Sequence, residues 1–198
     1  MCPCLGITGG IGSGKSYISQ IFSALGIAVY DADTETKLLY GRDAALRDGL
    51  VALLGEEIFQ GGVLQKEVMA GKIFSCPELL AKVNVLVHPA VFRDFTSWRS
   101  TKSPYVIMES AILAQTPFAS VADRMLTVSA PLALRMERLQ RRDQAEQEDL
   151  QRRINNQWSD AMREAKADFV IYSDGKNPLL PQVEKVHRIM LFLAQENN

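Results

Sequence analysis

Residues Gly9 to Ser16 read Gly-Gly-Ile-Gly-Ser-Gly-Lys-Ser, which fits the pattern G-x-x-x-x-G-K-[ST]. No other feature limits the fold so strongly, because this motif works only between a buried strand and the helix that it opens. Gly9 and Gly14 allow backbone angles that a side chain forbids. Gly10 and Gly12 let the main chain come close to a ligand. The loop N–H groups then form an anion-binding concavity where a helix dipole adds positive potential. Such a loop cradles phosphates. Gly10, Ile11, Gly12, Ser13 and Gly14 supply its backbone, Lys15 reaches β- and γ-phosphates, and the Ser16 hydroxyl suits Mg²⁺.

The flanking residues provide the required context. Cys4-Leu5-Gly6-Ile7-Thr8 is a short, largely apolar run that suits a central strand of a parallel sheet. Beyond Lys15, Ile18, Ile21, Phe22 and Leu25 recur at helical spacing, and Gly26 ends the segment.

Composition narrows the partners. With 198 residues, the chain forms one sizeable domain with room for a small appended lobe. A net charge of -1 gives no global attraction for nucleic acid or anionic membrane, so an anionic small ligand needs a local basic site. Cys2, Cys4 and Cys76 are an odd set without regular spacing, which argues against a disulfide framework. No apolar run approaches the length of a membrane span. The first strand begins where a leader peptide would lie, so a cytoplasmic protein is expected. Monomer or weak homo-oligomer is the expected assembly.

Further strand-like runs are Ile27–Tyr30, Tyr105–Met108, Met125–Val128 and Phe169–Tyr172, with helix-like segments between them. This alternation predicts an α/β fold, a parallel sheet with helices on both faces. Ligands of such sheets bind at the carboxyl ends of the strands. The expected organisation is a single domain over 1–198 with a core of 1–33, 104–134 and 158–198. Residues 34–103 form a mainly helical insertion able to hold a second substrate, with a turn at Gly61-Gly62. Residues 135–157 are dense in charges of both signs. They are either a solvated helix hairpin or a lid that carries arginines to a transferred phosphate.

A phosphate loop establishes binding and leaves the chemistry open. A GTPase should show D-x-x-G and N-K-x-D, and the chain has neither. Small size, helical insertion and arginine-rich lid favour a small-molecule kinase. A kinase acting on a hydroxyl needs a carboxylate near it. Asp31-Ala32-Asp33 lies just after the second strand, at the edge of the expected site. Asp33 is the favoured base or orienting group, and it also suits the N-cap of a helix beginning at Thr34.

Thr8 to Ser16, Leu25-Gly26 and Asp31-Ala32-Asp33 at this spacing resemble dephospho-CoA kinases. Leu86-Val87-His88-Pro89, Arg138 with Arg142-Asp143, Arg153-Ile154 through Gln157, and Ala167-Asp168 through Gly175 extend the resemblance over nearly the whole chain. It implies transfer of a phosphoryl group from ATP to the ribose 3′-hydroxyl of dephospho-CoA, giving CoA. Asp33 would be the catalytic carboxylate, with Lys15, Arg142 and Arg138 meeting phosphate charge. Gly10 to Tyr17, Arg142, Gly175 and Lys176 would hold ATP, with Mg²⁺ on Ser16. Thr8, Asp31, Asp33 and His88 would face the acceptor. The alternatives are another small-molecule kinase and a non-catalytic nucleotide-binding module. Three positions depart from the family pattern. Tyr17 stands where a small hydroxyl residue is usual, Gln115 where a glutamate is usual, and Ser173 where an asparagine is usual. Glu109 lies nearby as a further source of negative charge.

Overall fold

The computed structural model describes residues 2–74, 76–99, 103–143 and 146–196. Ser75 and residues 100–102 of the expected insertion, and Gln144 and Ala145 of the expected lid, lie outside them. The chain divides into two compact units, residues 1–31 with 99–198, and residues 32–98.

The first unit is built on β1 (Cys4–Gly9), α1 (Lys15–Ala24) and β2 (Ala28–Asp31). The chain enters the second unit at α2 (Ala32–Arg42) and α3 (Ala44–Leu54), continues through the short strands β3 (Phe59–Gln60) and β4 (Val63–Leu64), and leaves through α4 (Lys66–Phe74) and α5 (Pro77–Trp98). The first unit resumes with β5 (Val106–Glu109), β6 (Arg124–Ser129), α6 (Leu132–Asp143), α7 (Gln147–Asn155), α8 (Asp160–Glu164), β7 (Phe169–Tyr172) and α9 (Leu179–Glu196).

Five strands form one parallel sheet in the order β2-β5-β1-β6-β7. All six residues of β1 are buried, as a central strand covered on both faces requires. Strand alternation sends Leu5, Ile7, Ile107, Leu126, Val128 and Ile171 to one face, where they meet Ile18 and Phe22 of α1 and Val183, Val186 and Met190 of α9. Truncating a residue as enclosed as Phe22 to alanine costs about 3–5 kcal/mol. On the opposite face, a Cβ on Gly6 would lie 2.8 Å from Leu113 and 2.9 Å from Ala122, so only glycine lets the segment after β5 close down on the strand. After β1 the chain moves out to β2 and returns through β5, then crosses to β6 on the other side. The loop after β1 therefore sits where the strand order reverses, at the carboxyl edge of the sheet.

The second unit is mainly helical. Leu46, Leu50 and Leu54 line one face of α3, and Val83, Val87, Ala90, Val91 and Phe95 one face of α5. Gly49 lets Leu86 approach α3, where a Cβ would be 3.3 Å from its side chain. Asp43 caps α3 by accepting from the Leu46 N–H at 2.9 Å. The Gly61-Gly62 turn proves to be the tip of a two-stranded hairpin, with Gln60 opposite Val63. Both glycines have positive φ, as a two-residue type I′ turn demands. The turn is visible in the sequence without its strands, which are too short to show alternation.

Candidate active site

The loop from Gly9 to Ser16 joins β1 to α1 as its motif requires. Gly12 and Gly14 have φ of 79° and 100°, in the left-handed region that favours glycine. No side chain caps the first turn of α1, and no acidic residue lies there, so the helix start keeps its positive potential.

What holds the loop is α6. Arg135 Nε donates to the Ile11 carbonyl at 2.9 Å, and the Ile11 N–H donates to Gln157 Oε1 at 2.8 Å. Arg138 donates to the carbonyls of Gly12 at 3.4 Å and Ser13 at 3.1 Å, and with its other arm to that of Ser173 at 3.0 Å. The Ser13 N–H turns inward to the Gly10 carbonyl at 3.0 Å. Anchoring the carbonyls on the α6 side fixes the peptide planes of the loop. Ile11, one of the residues expected at ATP, thus has both its main-chain groups engaged by protein. Gly10 also differs from expectation. The space a Cβ would fill there is taken by the guanidiniums of Arg135 and Arg163, so its smallness serves packing behind the loop.

Arg135 and Arg163 are buried, and both pair with Asp160. Arg135 Nη1 lies 2.9 Å from Asp160 Oδ2 and Arg163 Nη2 lies 2.5 Å from Oδ1. Arg163 also donates to the Trp158 carbonyl. Burial pushes Arg135 below the usual guanidinium range, with Asp160 opposing that shift. The charge-dense stretch is therefore not a solvated hairpin throughout. Arg135 and Leu139 form the inner face of α6, and Leu150 is the buried residue of α7.

At the sheet edge, the Ser16 hydroxyl donates to Glu109 Oε1 at 3.0 Å. Glu109 is buried at the end of β5. Asp31 is level with it on the neighbouring strand β2. Ser16 and Glu109 meet here, Asp31 stands at the end of the next strand, and all three carry oxygen donors, the chemistry that Mg²⁺ accepts. Among the described residues, no cluster of three or more His, Cys, Asp or Glu forms a dedicated metal cage. Mg²⁺ suits such a site, because it usually arrives with substrate phosphates and keeps several waters.

The remaining expected residues fall in several places. Thr8 is fully buried, and its hydroxyl donates to the Ala111 carbonyl at 3.3 Å, so it holds the segment after β5 rather than presenting a surface. Tyr17 is 59% exposed on α1. Arg142 lies toward the end of α6 with its guanidinium on Asp143, at 2.6 and 3.1 Å. Arg153 reaches the same carboxylate at 2.6 Å, and these pairs, led by Arg142, hold Asp143 down at about 2. Gly175 and Lys176 lie in an exposed turn after β7, where Asp174 accepts from the N–H groups of Lys176 and Asn177, both at 2.9 Å. Ser173 backs the phosphate loop, with its hydroxyl 3.1 Å from where a Cβ on Gly14 would be. In the second unit, Asp33 is exposed in the first turn of α2. His88 is half-buried on α5 ahead of Pro89, and desolvation lowers its pKa.

Comparison with known proteins identifies the family and the fold. The family described as dephospho-CoA kinase matches residues 3–178. A curated dephospho-CoA kinase of Bacteroides fragilis is 44% identical over 194 residues, covering 97% of this chain and 93% of that protein. One from Porphyromonas gingivalis is 39% identical, covering 92% of this chain and 91% of its own. The crystal structure of TT1252 from Thermus thermophilus superposes with a TM-score of 0.83 at 27% identity, covering 96% of both chains. A dephospho-CoA kinase from Campylobacter jejuni shares the fold, with a TM-score of 0.66 at 16% identity and full coverage of both chains. A match over this length, on a chain whose phosphate loop, strand-end carboxylates and arginine-bearing helix are all in place, is decisive: the chain belongs to the dephospho-CoA kinase family.

Proposed function

We propose that this chain transfers the γ-phosphoryl group of ATP to the ribose 3′-hydroxyl of dephospho-CoA, yielding ADP and CoA. The observation that carries the proposal is the Ser16–Glu109 hydrogen bond beside the phosphate loop, in a chain that matches the family over residues 3–178. Phosphoryl transfer is mostly positioning and charge stabilisation, which is the work proposed for these residues.

In this reading the first turn of α1 and Lys15 hold the β- and γ-phosphates. Ser16 and Glu109, with Asp31 on the next strand, hold Mg²⁺ with the nucleotide. When bound, the ion would supply positive charge against that of the phosphates. Asp33 accepts or orients the proton of the 3′-hydroxyl. Its support is its place two residues beyond Asp31, exposed in the first turn of α2. Arg142 meets the charge that develops on the transferred group after exchanging Asp143 for phosphate. Arg138 serves the same step from behind, through the carbonyls of Gly12 and Ser13. Gly175 and Lys176 form the adenine side, and His88 shapes the acceptor pocket.

A cytoplasmic setting belongs to the same proposal. The free thiols of Cys2, Cys4 and Cys76 suit a reducing compartment, and no described helix is long and apolar enough to cross a membrane. Product analysis tests the proposal. Dephospho-CoA with ATP and Mg²⁺ is expected to gain one phosphoryl group on its 3′-oxygen, seen by mass and ³¹P NMR. Unchanged dephospho-CoA would overturn it.

A further inference from the structure

The pair of buried arginines behind the phosphate loop has an unbalanced charge. The side chains of Arg135 and Arg163 are 3% and 1% exposed, and both guanidiniums pair with the single carboxylate of Asp160. Among the described residues no other carboxylate pairs with either. Arginine stays ionised under all ordinary conditions, so the cluster holds two positive charges against one negative. Its hydrogen bonding is incomplete as well. Arg135 Nη2 and Arg163 Nε are buried donors without a partner among the described residues. Uncompensated buried charge is costly, yet this one is packed directly against Gly10 and is tied to the loop through the Ile11 carbonyl.

We propose that Arg135, Arg163 and Asp160 form a charge reserve for the phosphate loop, whose missing counter-charge is supplied by the polyphosphate of the bound nucleotide. Arg135 is a positioning and electrostatic residue here, since it reaches the ligand only through the loop. The free enzyme bears the cost of one unpaired buried charge, and ligand binding removes it. Part of the binding energy for phosphate therefore comes from relief of strain within the protein. The inference rests on the reading of Gly9 to Ser16 as a polyphosphate site.

Tripolyphosphate, which lacks base and sugar, is the probe. Its dissociation constant and the thermal shift that it produces are measured for the wild type, Arg135→Gln, Arg135→Lys and Asp160→Asn. Arg135→Gln is expected to weaken tripolyphosphate binding about tenfold, as the loss of one nearby charge implies, and to shrink the thermal shift. Asp160→Asn, which exposes the second positive charge, is expected to lower the melting temperature of the free protein and enlarge the shift. Arg135→Lys retains the charge without the fork, so its ligand shift stays near wild type even if the free protein is less stable. A purely structural cluster would alter the melting temperature of the free protein and leave the ligand shift equal in all three variants, and that result overturns the proposal. So does an Arg135→Lys loss as large as that of Arg135→Gln. A wild type that tripolyphosphate fails to stabilise would overturn the polyphosphate reading of the loop itself, and the proposal with it.

Discussion

The Ser16 hydroxyl donates to Glu109 Oε1 at 3.0 Å, which joins the last residue of the phosphate loop to the end of β5. This bond orients the hydroxyl and places a buried carboxylate directly behind it. Glu109→Gln keeps the size and an oxygen acceptor but removes the charge. The variant is expected to lose about a hundredfold or more in kcat and to need more Mg²⁺ for half-maximal activity. Its melting temperature should change little. Steady-state kinetics at varied Mg²⁺ would contradict this account if rate and Mg²⁺ requirement both stayed near wild type.

Arg138 spans three carbonyls, those of Gly12, Ser13 and Ser173. Arg138→Ala leaves them without this donor and is expected to cost about 2–3 kcal/mol of stability, together with a raised KM for ATP. Arg138→Lys is expected to rescue little, because a point ammonium cannot replace the fork. Urea unfolding and ATP titration check both statements. Wild-type behaviour of the lysine variant would show that charge alone matters at this position.

The Tyr105 hydroxyl lies 2.7 Å from His187 Nδ1, tying the start of β5 to α9. Burial raises the tyrosine pKa, so it stays neutral, and desolvation lowers that of His187. A histidine whose folded pKa lies below its unfolded value of about 6.5 contributes stability that is full above that value. The contribution is lost as pH falls through the lower, folded pKa. Stability measured by urea between about pH 7 and pH 5 is expected to fall less steeply in His187→Gln than in the wild type. Parallel profiles would contradict this.

The sheet is legible in the sequence because its strands are apolar runs ending at turn residues, and Gly9 to Ser16 place the site on the first of them. Asp31 stands out as a carboxylate at a strand end. Glu109 obeys the same rule, and the run Val106-Ile107-Met108 before it is the available signal, although beside the departure at Gln115 it draws only secondary notice. Arg135 carries no signal. Among the alternating charges of residues 135–153, nothing in the sequence separates an arginine that packs under the loop from Arg141, which pairs with Glu137 in solvent. That difference depends on which face of α6 meets Gly10 and Gly12, a tertiary fact. Gln157 falls within the family resemblance, but its contact with the loop is hidden for the same reason, since its partner Ile11 is 146 positions away in sequence.

The identity of the acceptor is the central claim, and an ADP-release assay with a panel of acceptors tests it most directly. The panel contains dephospho-CoA, adenosine, AMP, shikimate and water alone, each with ATP and Mg²⁺. The account predicts rapid ADP release with dephospho-CoA, slow release with the others, and loss of the dephospho-CoA rate in Asp33→Asn. A rate with dephospho-CoA no greater than with water, or a clear preference for another acceptor, would contradict it.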